Sequence, residues 1–185
     1  MNKNRRLMAS ALALSIALPA ALAGGAEGQS TAQNAQTSGQ STAQVSNDTD
    51  VLFMEVATMS NLTEINTSRL ALQKSSNARV RAYAQEMITE HTRAQAELNA
   101  LAAAKGVKLT DKPGADQRIQ YNRLTTLSGA AFDAAYKNVQ VGGHQMTLDL
   151  IETYRSVGKD QQALAYAAKI QPVVARHLAE AKTLP

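Results

Sequence analysis

The chain has 185 residues, no cysteine and a formal net charge of +4 at pH 7. Without cysteine it has no disulfide, no thiolate metal ligand and no lipid-anchoring cysteine behind a leader. Three of its basic residues lie in the first six, and without Lys3, Arg5 and Arg6 the net charge falls from +4 to +1. No basic block then remains to neutralise phosphates, which argues against nucleic acid as a partner.

Residues 1–23 are typical of a Sec-type signal peptide. The basic head MNKNRR precedes the apolar run LMASALALSIALPA, which is short for a bilayer span, and Ala21–Ala23 forms a small-x-small cleavage site. No second hydrophobic span follows. We therefore expect a bacterial exported protein, most simply periplasmic, with no transmembrane span in the mature chain.

Residues 24–49 predict a disordered tether. They are rich in Gly, Ser, Gln and Thr, repeat the string GQSTAQ, and contain one large apolar residue, Val45. Such a composition cannot bury enough apolar surface to offset the loss of chain entropy. The segment is interpreted as a spacer that holds the domain away from a membrane or cell wall, or as an N-terminal extension without a function. Residues 50–185 are the size of one domain.

From residue 50 onward the sequence predicts helices, because Pro and Gly are sparse and Ala, Leu, Gln and Glu dominate. The expected helices run from a cap at Asp48 or Asp50 to about Lys74, from about Ser76 to a stop at Gly106, over about 116–127, over 129–157, and onward from a cap at Asp160. Pro172 predicts a kink or restart near Gln171. Four long helices with short polar loops predict an all-α fold, an antiparallel four-helix bundle with an additional short helix. Four methionines are interpreted as core residues that fill gaps, not as copper ligands: Met54, Met59, Met87 and Met146.

Polar residues interrupt the apolar face of each long helix. At about 100° per residue, one glutamate and all three histidines fall on apolar or partly apolar stripes. They are Glu64, His91, His144 and His177. Buried carboxylates and imidazoles are costly unless they are paired or bound to a metal. The four residues therefore predict one mixed nitrogen and oxygen site for a single divalent transition-metal ion, or else a buried hydrogen-bond network. A shared site also requires equal depth along the bundle, which a helical wheel does not show.

Three residues that precede His144 on the same predicted helix, Asp133, Gly142 and Gly143, are not interpreted as metal ligands. Asp133 precedes His144 by three turns, roughly 16 Å along a helix, so the two cannot share an ion. Asp133 is interpreted as structural, accepting a bond from a tyrosine or arginine of a neighbouring helix. Gly142 and Gly143 weaken a helix and predict either a close approach of a facing helix or ligand, or a simple kink.

Three stretches of the chain resemble an exported bacterial ferritin-like family with a domain of unknown function, whose members are predicted outer-membrane or exported proteins. They are NLTEINTSRLALQKSSNARVRAYAQEMITEHTRAQAELNALAAAKGVKL, LSGAAFDAAYKNVQVGGHQMTLDLIE and IQPVVARHLAEAKTLP. The most specific pieces are Glu90-His91-Thr92, the GAAFD of 129–133, and the two later histidines. The resemblance implies a periplasmic ferritin-like bundle with Glu64, His91, His144 and His177 at matching positions. It implies no reaction.

The sequence argues against a ferritin-type di-iron centre. Such a centre needs Glu-x-x-His on two helices, whereas Ile88, Val141 and Val174 stand three residues before the histidines. No catalytic triad order, phosphate loop or nucleotide fingerprint is present either. We expect a metal-binding or stress-linked envelope bundle with no catalytic residues. The alternatives are a structural or interaction module with an envelope partner or as a homo-oligomer, and, third, a redox or hydrolytic enzyme.

Overall fold

A computed structural model describes residues 41–42 and 46–185 of the protein; the predicted signal peptide and most of the predicted tether lie outside them. Five helices are present in this part: α1 (Thr49–Lys74), α2 (Ala78–Ala104), α3 (Ala115–Thr125), α4 (Gly129–Val157) and α5 (Gln161–Lys182). The described residues contain no strand. The predicted all-α fold with an additional short helix is therefore confirmed. None of these helices is long and apolar enough to cross a membrane.

The helix ends follow local capping chemistry. The carboxylate of Asp48 accepts hydrogen bonds from the backbone N–H groups of the first turn of α1, and Asp160 does the same for α5. Gly106, with φ of 67°, lies just beyond α2 in the left-handed conformation that glycine adopts most easily. The predicted restart near Gln171 is wrong, since α5 continues through Pro172. Proline removes a single backbone bond, and the buried residues on both sides of it keep the helix in place.

Two apolar clusters give the directions of the long helices. The upper cluster is built around Phe53, Leu98, Tyr154 and Ala163, and the lower cluster around Leu70, Val80, Phe132 and Ala181. Each long helix contributes to both clusters. Helices α1 and α5 begin at the upper cluster, whereas α2 and α4 begin at the lower one. The chain between α2 and α4 must therefore return along the bundle, and α3 lies in this single crossover connection.

A polar layer separates the two clusters. The buried residues in the middle of α1 are almost all polar: Thr58, Ser60, Asn61, Thr63, Glu64, Thr67 and Ser68. The other long helices place His91, His144 and His177 between their upper and lower apolar residues. Met146 is 57% exposed, so its interpretation as a core residue is wrong. Met146 lies two residues after His144, about 200° around the helix, so Met146 faces solvent when His144 faces the core.

Candidate metal centre

The three histidines meet in the polar layer, one each from α2, α4 and α5. The centroids of the imidazole rings of His91, His144 and His177 are 5.4 Å apart in all three pairs. One ring nitrogen of each lies within 4.8 Å of the other two. All three side chains are buried. The equal depth that a shared site requires is therefore present for the histidines.

Each imidazole is held by one of its two ring nitrogens. His91 Nδ1 lies 2.9 Å from Asn61 Oδ1, and His144 Nδ1 lies 2.8 Å from the carbonyl oxygen of Gln140. His177 uses its other nitrogen, Nε2, which lies 2.9 Å from Glu90 Oε2. The partners of His91 Nδ1 and His144 Nδ1 are oxygens that accept, so these nitrogens carry the hydrogen. His177 Nε2 also lies 3.2 Å from Arg176 Nη2, a donor, but the accepting Glu90 oxygen is nearer, and we therefore assign the hydrogen of this ring to Nε2. The opposite nitrogen of each ring is then left with a free lone pair, the form that binds metals.

These opposite nitrogens have no hydrogen-bond partner among the described residues. They are His91 Nε2, His144 Nε2 and His177 Nδ1, and all three are buried. A buried polar atom left without a partner costs about 1–3 kcal/mol, so three in one place need an explanation. Metal–nitrogen bonds of about 2.0 Å place the nitrogens of a three-histidine site about 3.3–3.5 Å apart. Small rotations of the three rings would reach that spacing, so the donor set fits a transition-metal ion.

Burial keeps the imidazoles in their neutral, metal-binding form. It lowers the pKa of His91 well below its usual value, and the two neighbouring imidazoles lower it further. Burial also lowers the pKa of His144 to about 4, although the bond to the Gln140 carbonyl opposes the shift. The pKa of His177 is lowered by burial as well, with Glu90 acting in the opposite direction. No proton has to leave these rings before a cation binds at neutral pH.

Glu64 lies beside the histidines and not among their converging nitrogens. Its Oε1 is 3.8 Å from His144 Nδ1, the nitrogen that already faces the Gln140 carbonyl, and its Oε2 has no hydrogen-bond partner among the described residues. Burial raises the pKa of Glu64 to about 8, with the Gln140 side chain opposing the shift. At pH 7 both Glu64 and His144 are therefore mostly neutral, and their contact is not an ion pair.

Gly143 is what allows Glu64 to lie against α4. A Cβ atom at Gly143 would be 2.6 Å from Glu64 Oε1, whereas one at Gly142 would meet nothing within 4 Å. Helix α4 is continuous through both glycines. Of the two interpretations of this pair, the close approach of a facing helix applies to Gly143.

A second group with metal-ligand spacing consists of Glu86, Glu90 and His177. Both of its carboxylates are already paired with one guanidinium, because Arg176 contacts Glu86 and lies 2.8 Å from Glu90 Oε2. The same arginine lies 3.2 Å from Glu180, one turn further along α5. We therefore assign Glu90 to orienting His177 and not to a separate ion.

The sequence analysis missed the residues that orient the imidazoles. Asn61 lies three residues before Glu64, and Gln140 lies four before His144, so helical spacing could have indicated both. Asn61 is itself oriented by donating to Gln95 Oε1 at 3.1 Å. Asp133 is buried apart from the site, and its Oδ1 accepts no hydrogen bond among the described residues.

The fold and site define a four-helix bundle with three converging imidazoles in its core. The chain belongs to the family described as a domain of unknown function, DUF4142, whose model matches residues 34–184. This confirms its assignment to a family with a domain of unknown function. No curated protein sequence matches the chain.

Solved structures of CopM share this fold. The Cu(I)-bound form of CopM aligns with a TM-score of 0.61 at 17% identity, covering 72% of this chain and 92% of that chain. The Cu(II)-bound form has a TM-score of 0.58 at 16% identity, with 72% and 93% covered. The Ag-bound form, obtained by soaking, has a TM-score of 0.59 at 17% identity, with 72% and 91% covered. At this identity the likeness shows the fold alone.

Proposed function

We propose that the protein is an exported helical bundle that binds one transition-metal ion through His91, His144 and His177. The observation that carries the proposal is that three buried imidazoles, with ring nitrogens within 4.8 Å of one another, each have one ring nitrogen without a hydrogen-bond partner among the described residues. Their opposite nitrogens are each held by an oxygen, which is how proteins orient histidine ligands. Glu64 belongs to the proposed site as the carboxyl group adjacent to His144; a bound cation would favour its ionised form, which would then offset the charge of the ion.

Copper is the ion to test first. Imidazole ligands suit copper, zinc, iron and nickel, so the donor set alone leaves a choice. The structural neighbours carry Cu(I), Cu(II) or Ag in their solved forms. Two carboxyl groups lie beside the histidines, Glu64 near His144 and Glu90 near His177, and Glu90 is also paired with Arg176. The site is therefore too poor in carboxylates for a di-iron centre, which draws on all four helices for them. We propose binding or sequestration of the ion, in an envelope-stress role, in place of catalysis.

The competing function is a structural module in which the same residues form a buried network. Part of the site fits it: Asn61 joins His91 to Gln95, whose amide donates to Asn99 Oδ1 at 2.8 Å. Such a network accounts for one nitrogen of each imidazole. It leaves the three converging nitrogens without a role, and for this reason we favour metal binding.

The test is the copper stoichiometry and affinity of the purified chain, measured by competition with a chromophoric chelator. We expect one copper per chain, and a loss in affinity of about 100-fold or more when His91 or His144 is replaced by alanine. Asp133→Asn is the matched control, because it alters a buried residue of α4 outside the site and should bind as the wild type does. Electron paramagnetic resonance of the Cu(II) form should show coupling to imidazole nitrogens. A folded wild-type chain that binds neither copper nor zinc nor iron would refute the proposal.

A further inference from the structure

A cleft between α2 and α5 leads from the surface to two of the three histidines. It has a volume of about 110 Å³ and is lined by His91 and His177 at its inner end. Its walls are mostly small or apolar: Ala57, Ala94, Ile170, Val173 and Val174. His91 Nε2 and His177 Nδ1, which have no hydrogen-bond partner among the described residues, belong to the side chains at this end.

A second cleft approaches the polar layer from another side, formed by α1, α3 and α4. It has a volume of about 230 Å³, and Glu64, Gly143 and Met146 are among its lining residues. None of the three histidines lines it. The two clefts therefore lead to different side chains: the imidazoles of His91 and His177 in the first, and the carboxyl group of Glu64 in the second.

Two ion pairs between α2 and α5 frame the first cleft. Lys169 Nζ lies 2.7 Å from Glu97 Oε2, and Arg176 Nη2 lies 2.8 Å from Glu90 Oε2. Glu90 and Glu97 are seven residues apart, about 10 Å along the helix, and so are their two partners on α5. Between the two ion pairs Val173 of α5 is one of the wall residues. Arg93 also lines the cleft, so basic and acidic groups are both present at the rim. Because neither sign dominates there, we take the width of the opening as the property to test.

We infer that the α2–α5 cleft is the passage by which a transition-metal cation reaches the three histidines, and that Val173 sets its width. The inference rests on the proposed function of the site. It follows because His91 and His177 line the first cleft, whereas the second cleft reaches Glu64 and none of the three histidines. Val173 lines the wall without being one of the three proposed ligands.

A residue that narrows a passage changes the rates of uptake and release by the same factor. The free energies of the empty and loaded site stay the same, so the affinity does not change. A residue that shapes the site itself would instead alter affinity, mainly through the release rate. This difference separates a passage from a structural role of Val173.

The experiment uses the full purified chain and Cu(II) sulfate, with uptake followed by stopped-flow absorbance and release followed after addition of excess EDTA. Val173→Trp should slow both rates about tenfold or more at unchanged affinity. Val173→Phe should lie between it and the wild type, and Val173→Ala should be as fast or faster. Met146→Trp is the matched control, since it places the same bulk at the other cleft and should leave both rates unchanged.

Several outcomes would contradict the proposal that the α2–α5 cleft is the passage. Slow uptake in Met146→Trp with normal uptake in Val173→Trp would assign the route to the cleft beside Glu64. Equal rates in all variants, with copper still bound, would exclude this passage while leaving the proposed site intact. Folded wild-type chain that binds neither copper nor zinc nor iron at equilibrium would remove the site and the passage together. If circular dichroism shows that Val173→Trp is unfolded, the comparison of Val173→Phe with Val173→Ala decides the question.

Discussion

Replacing Gly143 by alanine is expected to destabilise the protein, whereas the same change at Gly142 is expected to stabilise it. Both residues lie inside α4, where alanine is more favourable than glycine by about 1 kcal/mol. The two positions differ in what a Cβ atom meets. At Gly142 nothing lies within 4 Å, but at Gly143 the Cβ atom would be 2.6 Å from Glu64 Oε1 and 3.9 Å from Glu64 Cδ.

The size of the effect follows from this contact. A separation of 2.6 Å is too short for a carbon and an oxygen that are not bonded, so the carboxyl group must move. Glu64 is only 1% exposed, and the space open to its carboxyl group is the cleft that it lines together with Gly143, so moving there displaces it from its position against α4. Forcing extra volume into a packed core typically costs about 1–3 kcal/mol. Subtracting the gain of about 1 kcal/mol in helix propensity from this cost, we expect Gly143→Ala to lower the free energy of unfolding by up to about 2 kcal/mol. Gly142→Ala has the gain without the cost and should raise the free energy of unfolding by about 1 kcal/mol.

Urea unfolding followed by far-UV circular dichroism measures both changes in the metal-free chain. A double-mutant cycle with Glu64→Ala isolates the contact, because removing the carboxyl group removes the clash. In that background Gly143→Ala should become stabilising by about 1 kcal/mol. Equal effects of the two alanines in the wild type, or a penalty at Gly143 that survives Glu64→Ala, would refute the reasoning.

Three further changes test other parts of the molecule. His144→Leu should leave the metal-free chain within about 1 kcal/mol of wild type, because losing the bond to the Gln140 carbonyl is offset by removing a buried nitrogen without a partner. The variant should also lose the stabilisation that copper gives to the wild type. Urea unfolding with and without copper tests both expectations. A decrease of more than about 3 kcal/mol in the free energy of unfolding of the metal-free variant would indicate that the imidazole has a structural role. Asp50→Asn should cost of the order of 1 kcal/mol at pH 7 and progressively less as the pH falls below the ordinary carboxyl pKa. Burial alone would raise the pKa of Asp50, but hydrogen bonds from the Tyr154 hydroxyl and two backbone N–H groups outweigh it. This stability is therefore present above the ordinary carboxyl pKa and is lost as the pH falls through the lowered one. Unfolding across that pH range checks it, and a constant difference would contradict it. Glu90→Gln should weaken copper binding about tenfold in chelator competition, and unchanged affinity would exclude an orienting role.

Much of the architecture could be predicted from the sequence because helices depend on local chemistry. The caps Asp48 and Asp160 and the stop at Gly106 mark helix ends through groups within a few residues of them. Met146 shows the limit of such inference, since its apolar side chain suggests a core residue but its position on α4 places it in contact with solvent. The signal peptide of residues 1–23 and the export that it implies stay predictions.

For the candidate site, the face of each helix that carries a histidine or Glu64 can be predicted from the sequence. This is possible because the angle between two residues of a helix depends only on their separation along the chain. Depth in the bundle depends instead on how the helices pair and on the crossover between α2 and α4. That the three imidazoles meet, that Glu64 lies next to His144, and that Asn61 and Glu90 orient two of the rings are therefore results of tertiary packing. These contacts join residues far apart in the chain, and no local pattern encodes the packing that brings them together.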